Sequence, residues 1–369
     1  LLALYASAPD GTCPREPDTA RRRYLSVVRG EAKGVGPALA RLGLTAASWP
    51  YGAAVRLRNF AYDRGWIRAR RAAVPVVSVG NLTVGGAGKT PFVEHVAAHY
   101  RSRDVRVAVL SRGYGAAAGP NDEALVLEEN LPDVPHLQGA DRVALAAAAA
   151  EELESEVLVL DDGFQHRRLA RDLDIVLVDA TDPWGGGRLL PRGLLREPPS
   201  GLRRAHLVAL TRCDQATEGV KDRIRERVRR LAPGVPMFET AHRPVELVNA
   251  DGGTDPAEEL RGRPVFAFCG LGNPDAFRRT LLYCGAAVAD FRTYPDHHAY
   301  TREDVERLRA WARGLSADGL LVTTQKDLVK IRLARLGDRP LRALRVRLHV
   351  EAGGEELARR LDAALRERA

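Results

Sequence analysis

The sequence predicts an α/β fold, a parallel sheet flanked by helices, with a second, smaller α/β domain after it. Three observations lead there. The run "VPVVSV" (residues 74–79) reads as a buried strand, enters a glycine-rich turn, and leaves it as "TPFVEHVAAHY", where Phe92, Val93, Val96 and Ala97 recur at helical spacing. Beyond that point short β-branched runs alternate with helical stretches, the pattern of strands covered on both faces by helices. The 369 residues, 45% hydrophobic and 28% charged, suffice for about two soluble globular domains.

Taken in order, the chain opens on "LLALYASAPDGTCPREPDTARRR", which has no initiator Met and no basic n-region of a signal peptide. Residues 1–35 are expected to form a poorly ordered extension. The apolar stretch 42–55, "LGLTAASWPYGAAV", is too short to span a bilayer and carries Pro50. Trp49 and Tyr51 precede Arg56, Arg58, Arg64, Arg68, Arg70 and Arg71, with Phe60, Tyr62 and Trp66 among them. Arginines and aromatics beside a short apolar helix suit a contact at the level of lipid headgroups. Arg56 falls near the side that holds Leu57 and Phe60, so a helix packed on its own domain is the other reading.

Further strands are expected at 105–110, 157–160, 175–178 and 207–210, with an alanine-rich helix near 144–154. Ligands collect at the carboxyl ends of such strands. The proline-marked stretch 231–244, "LAPGVPMFETAHRP", is read as a hinge to a second unit that repeats the alternation: "PVFAFCGLGNPDAF", a strand near 288–291, a helix from Arg302, then "GLLVTTQKD".

Composition narrows the partners. Lys and Arg number 56 against 48 Asp and Glu, a formal charge of +8 that favours an anionic partner. Nucleic acid is the weaker option, because no binding motif is present and the arginines are scattered among helices. Cys13, Cys213, Cys269 and Cys284 form no metal-ligand spacing or C-x-x-C pair, which fits a reducing, cytoplasmic setting.

The glycine-rich turn carries the chemistry. Gly85, Gly86, Ala87 and Gly88 let successive backbone N–H groups face one anion, and the helix beginning behind them adds the positive end of its dipole. The ending Gly88-Lys89-Thr90 matches the P-loop pattern, although Thr83 stands where that pattern has its first glycine. Lys89 is then expected at the β- and γ-phosphates of a nucleotide and Thr90 at Mg²⁺. In "EVLVLDDGFQHRR" a strand ends in Asp161-Asp162, where a carboxylate beside a P-loop holds Mg²⁺; an N-cap pair is the alternative. Gln165 and His166 follow within a turn.

Arg112 in "LSRGYG", Asp122-Glu123 in "NDEALV", and Asp296, His297 and His298 in "PDHHAYT" stand at further strand ends. Each has an ordinary surface or turn reading when taken singly. A P-loop GTPase acting as a switch or metallochaperone regulator is the alternative class, suggested by "TRCD" (residues 211–214) after a strand.

Together the ordered runs "RLRNFAYDRG", "VPVVSVGNLTVGGAGKTP", "LSRGYG", "NDEALV", "DDGFQHRRLARDLDIVLVDA", "GGGRLLPRGLLREP", "FCGLGNPDAF", "PDHHAYT" and "TTQKDLVK" resemble the tetraacyldisaccharide 4'-kinase family of lipid A synthesis, a membrane-associated branch of the P-loop kinases. The resemblance runs from about Gly36 to Arg332 and accounts for Thr83, since the family's loop reads Gly-Gly-x-Gly-Lys-Thr. It implies a P-loop NTPase-type sheet and transfer of the γ-phosphoryl group of ATP, with Mg²⁺, to the 4'-hydroxyl of a tetraacyl glucosamine disaccharide 1-phosphate.

The resemblance further implies that Asp122 is the base, His297 its partner, and Lys89 a catalytic cation. Gly85 to Thr90, Arg112 and Gln165 would meet the nucleotide, and Thr90, Asp161 and Asp162 the metal. The arginine-bearing loop 188–196 is expected at the acceptor's phosphate. Residues 36–235 would form a membrane-contacting helix with the kinase core, residues 236–369 the smaller domain, and the protein would sit on the inner face of the cytoplasmic membrane. Gln325 departs from the family's usual Glu, and "RGLLREP" from its "GPLREP".

Overall fold

The computed structural model describes residues 19–113, 122–296 and 298–366, with residues 19–22 and Asp122 described in their backbone only. The described chain opens with two helices, α1 (Thr19–Arg29) and α2 (Val35–Asp63). Part of the stretch expected as an unstructured extension is therefore helical. Val28 on α1 is buried and the Tyr24 hydroxyl donates to the Pro191 carbonyl at 2.7 Å, contacts that a count of adjacent arginines does not reveal.

The first α/β run follows in the anticipated order. It consists of β1 (Val76–Asn81), α3 (Lys89–Arg101), β2 (Val107–Ser111), α4 (Asp122–Asn130), β3 (His136–Gln138), α5 (Arg142–Glu151), β4 (Val157–Asp161), β5 (Leu173–Asp179), β6 (Leu207–Thr211) and α6 (Glu218–Leu231). The second run is β7 (Met237–Val248), β8 (Thr254–Pro256), β9 (Pro264–Cys269), α7 (Pro274–Tyr283), β10 (Ala287–Thr293), α8 (Arg302–Ala312), β11 (Leu320–Thr324), α9 (Gln325–Ile331), β12 (Arg335–Leu336), β13 (Arg339–Ala352) and α10 (Gly354–Arg366).

All the main strands join one sheet, in the order β10-β9-β11-β13-β7-β6-β5-β1-β4-β2-β3. Neighbours are parallel except at β13–β7, where two long strands run antiparallel along the middle. The second half of the proline-marked stretch 231–244 is thus strand. Pro244, which has no N–H to give the ladder, sits where the register with β13 shifts.

Strands β1 and β5 are buried at every position, as continuous β-branched runs covered on both faces should be. On one face Phe92 and Val96 of α3 pack with Val77, Val159 and Ile175, together with Leu357 and Leu361 of α10. On the other, Ile224 and Val228 of α6 cover Val176 and Val208. Each such buried side chain contributes roughly 1.5–3 kcal/mol. The second run has its own clusters, around Val265, Leu281 and Val322 and around Phe268, Leu308 and Trp311.

Candidate active site

The turn between β1 and α3 is shaped for an anion. Gly88 caps α3 with φ of 82°, a left-handed conformation that glycine adopts without steric cost. A β-carbon there would also meet the His242 ring of β7 at 2.9 Å. Burial, aided by Arg212, lowers the His242 imidazole to about 4, so a neutral ring backs the loop. Thr211 at the end of β6 donates to the Ala87 carbonyl at 2.9 Å and pins the loop from the same side. The "TRCD" segment is accordingly structural here, with Arg212 paired to Asp179.

The end of β4 reaches the P-loop because the neighbouring chain comes very close. A β-carbon on Gly80 would lie 2.6 Å from the Phe164 β-carbon, and the Gly163 N–H donates to the Val79 carbonyl at 3.1 Å. Asp161 and Asp162 are thereby brought beside Lys89. The Lys89 Nζ lies 3.6 Å from Asp162 Oδ1 and donates to Asn81 Oδ1 at 3.3 Å.

The two carboxylates have different surroundings. Asp162 takes a positive φ of 55°, and Arg196 Nη1 stands 2.7 Å from both of its oxygens. Burial pushes the Asp162 carboxyl up, but Lys89 and Arg196 outweigh it and hold the group below its ordinary value. Asp161 has an enclosed Oδ1 without a hydrogen-bond partner. Burial pushes its carboxyl up to about 6, against the pull of Lys89 and with further push from Asp162 and Glu123. An enclosed, unpartnered carboxylate oxygen within reach of a lysine's charge fits a hard divalent cation. No cluster of three or more His, Cys, Asp or Glu that could hold a metal is found among the described residues.

Within the loop 188–196, expected at the acceptor's phosphate, Arg196 pairs with Asp162. Its N–H donates to the Leu82 carbonyl at 2.8 Å, and the Val84 N–H donates to the Leu194 carbonyl at 2.7 Å, so the loop 188–196 runs along the entry to the P-loop. Next to it, the fully buried Glu197 accepts from Gln165 at 2.8 Å, Arg204 at 2.8 Å and Asn59 at 3.2 Å. Gln165 donates also to the Asn81 carbonyl at 2.9 Å, which makes it a brace between β1 and this loop. Glu197 and His242 escape the sequence reading, as does the pairing of Arg196 with Asp162; Arg196 and Glu197 lie in the quoted run "GGGRLLPRGLLREP", but nothing local shows what they touch.

Arg112 is exposed directly after β2. Asp122 begins α4, its side chain lying outside the described residues, as does His297 altogether. His298 is described: its Nε2 is 3.0 Å from Asp304 Oδ2. His166 is lowered to about 4 by burial, then by Arg142, Arg171 and Arg168.

Comparison with known proteins finds relatives over most of the chain. The family model described as Tetraacyldisaccharide-1-P 4'-kinase matches residues 40–366. A tetraacyldisaccharide 4'-kinase of Anaeromyxobacter sp. (strain Fw109-5) is 45% identical over 355 residues, covering 91% of this chain and 93% of its own length. That of Geobacter metallireducens is 42% identical over 316 residues, covering 80% and 90%. Among solved structures, the LpxK of Aquifex aeolicus in complex with ATP matches with a TM-score of 0.70 at 32% identity, over 88% of this chain and 99% of that one.

Proposed function

The chain belongs to the tetraacyldisaccharide-1-P 4'-kinase family, and on that premise we propose how its residues divide the work of the reaction. The enzyme is a lipid kinase that uses ATP and phosphorylates the 4'-hydroxyl of a tetraacylated disaccharide 1-phosphate, and the GTPase alternative is set aside. The observation that carries the site assignment is the pairing of an unpartnered Asp161 oxygen with a Lys89–Asp162–Arg196 cluster at the mouth of the P-loop.

Phosphoryl transfer asks for alignment and charge compensation more than for covalent chemistry by the protein. The backbone of Gly85 to Gly88 cradles the phosphates, and Lys89 turns from Asp162 to the β- and γ-phosphates when ATP enters. Thr90 and Asp161 would hold Mg²⁺, which would supply charge neutralisation for the phosphates. Asp162, held by Arg196, keeps Lys89 poised in the site. Arg112 stands beside the transferred group, and Gln165 acts through Asn81 and Glu197 on the loop's shape. Asp122 takes the proton of the 4'-hydroxyl, with His297 as its partner. The division into a core of residues 36–235 and a smaller unit of residues 236–369 is part of the same proposal, with β7 of the smaller unit pairing in parallel with β6 of the core.

The enzyme is also proposed to rest on the inner face of the cytoplasmic membrane through α2. No helix among the described residues is long and apolar enough to cross a bilayer. Val35, Leu39, Leu42, Trp49, Leu57 and Phe60 are nonetheless exposed, at spacings that bring them to one face of α2. Arg64, Arg68, Arg70 and Arg71 are exposed just beyond, beside Trp66. This stripe and its basic collar support a monotopic contact. Incubation with ATP, Mg²⁺ and a disaccharide 1-phosphate, followed by mass analysis of the lipid, tests the activity; flotation with anionic vesicles tests the membrane contact.

A further inference from the structure

The first two side chains of the short helix α9, in the run "TTQKDLVK", both reach α4. Lys326 Nζ lies 2.7 Å from Glu123 Oε1, the residue next to Asp122. One residue earlier, Gln325 Nε2 donates to Asn130 Oδ1 at 2.7 Å, at the opposite end of α4. Asn130 passes the contact on, its Nδ2 donating to Glu94 Oε2 of the P-loop helix α3 at 2.9 Å. A third tie, from Arg345 of β13 to Glu129 at 3.5 Å, holds the same end of α4.

The helix that makes these ties is itself fixed from beneath. Asp327 is fully buried; it accepts from the Thr324 hydroxyl at 2.6 Å and from the Gly270 N–H at 3.0 Å, and pairs with Lys330 at 3.2 Å. Gly270 in turn approaches the segment around Pro295 and His298, where a β-carbon on it would lie 3.1 Å from the Pro295 carbonyl. One buried carboxylate thus anchors α9 to both the β9–α7 turn and the neighbourhood of the "PDHH" segment. The polar side chains of α9 that meet α4 land at its two ends.

We propose that α9 is the positioning element for the acceptor base: the Lys326–Glu123 ion pair and the Gln325–Asn130–Glu94 relay fix α4 against α3, and with it the point from which Asp122 projects. This rests on the assignment of Asp122 as base. It also gives Gln325 a role that its neutrality serves. Its amide both donates to Asn130 and stands 3.4 Å from the Asn130 Nδ2 as acceptor, so the relay to Glu94 needs no second carboxylate on one amide.

The test is a double-mutant cycle on full-length enzyme. Lys326→Met, which keeps the length and loses the charge, is expected to lower kcat for the lipid acceptor about tenfold, since small misplacements of a reacting group are costly, while KM for ATP stays within about twofold. Glu123→Gln, which also removes a charge that acts on Asp161, should lower kcat at least as much, and the double variant should be no worse than the poorer single one. Lys326→Arg should restore most of the turnover. Unchanged kcat in Lys326→Met, an Arg variant as poor as the Met variant, additive losses, or a parallel rise in KM for ATP would each overturn the positioning role. Asp122→Ala, assayed alongside, tests the base separately: near-normal turnover there removes the base assignment, whereas the cycle between Lys326 and Glu123 reports the clamp whatever that variant does.

Discussion

Lys89 of the P-loop and Asp162 at the end of β4 face each other at 3.6 Å, with Arg196 gripping the same carboxylate from the other side. The arrangement holds a cation at the mouth of an anion-binding turn. It also sets Asp162 apart from its neighbour Asp161, whose Oδ1 has no hydrogen-bond partner.

Lys89→Ala and Asp162→Ala are expected to lower phosphoryl transfer by a factor of about 10² or more while leaving the fold intact, because each removes charge at the phosphates and no core volume. Turnover measured with a circular dichroism control checks this. Near-normal rates in either variant remove the P-loop assignment.

Asp161 supplies a prediction about stability and pH. Its folded-state carboxyl is raised to about 6 from the ordinary 3.8, so the folded protein binds the proton more tightly than the unfolded chain does. Its penalty is therefore absent below the unfolded value and grows as pH rises through about 6. Asp161→Asn should raise Tm of the metal-free protein at pH 8 by about 2 °C, with the gain fading toward pH 4. The same variant should lose the rise in Tm that Mg²⁺ with ATP gives the parent enzyme. A pH-independent difference contradicts the assignment.

Gly88→Ala tests the shape of the loop. It meets both a left-handed backbone and the His242 ring at 2.9 Å, so a loss of about 1–2 kcal/mol and a large loss of ATP affinity are expected from denaturant titration and nucleotide binding. His242→Ala should remove the clash and leave the backbone strain. Gly88→Ala made in that background is expected to lose less stability than in the parent, and an equal loss contradicts the contact.

Replacing Arg64, Arg68, Arg70 and Arg71 by Gln should weaken flotation with anionic vesicles and reduce its dependence on salt. Trp49→Ser with Trp66→Ser should weaken binding to neutral vesicles as well, because both rings are exposed. Unaltered flotation in the first set removes the electrostatic part of the membrane contact.

The sequence made the local parts of this site legible. A strand, a glycine turn and a helix are contiguous, so residues 74–100 declare the phosphate cradle, and the Asp161-Asp162 pair shows its place by ending an apolar run. Long-range pairing is not written in any local period. Arg196 meets Asp162 across 34 residues, Lys326 meets Glu123 across 203, and His242 reaches Gly88 only once β7 has joined the sheet. The seam of β7 and β13 was hidden for the same reason: prolines in residues 231–244 signal interruption, while an antiparallel partner about a hundred residues later absorbs Pro244 at a register shift. Helix α1 was obscured by its run of arginines, since its ties to Pro191 and Arg192 lie far along the chain.

On the proposed roles, the P-loop cluster drives phosphorylation of a lipid hydroxyl. Its most direct measurement is incubation of the enzyme with ATP, Mg²⁺ and a tetraacylated disaccharide 1-phosphate, with mass and fragment analysis of the lipid and Lys89→Ala as control. The account predicts one added phosphoryl group on the 4'-hydroxyl, dependent on Mg²⁺ and absent in the variant. ATP consumed with no phosphorylated lipid, or product formed equally by Lys89→Ala, would contradict it.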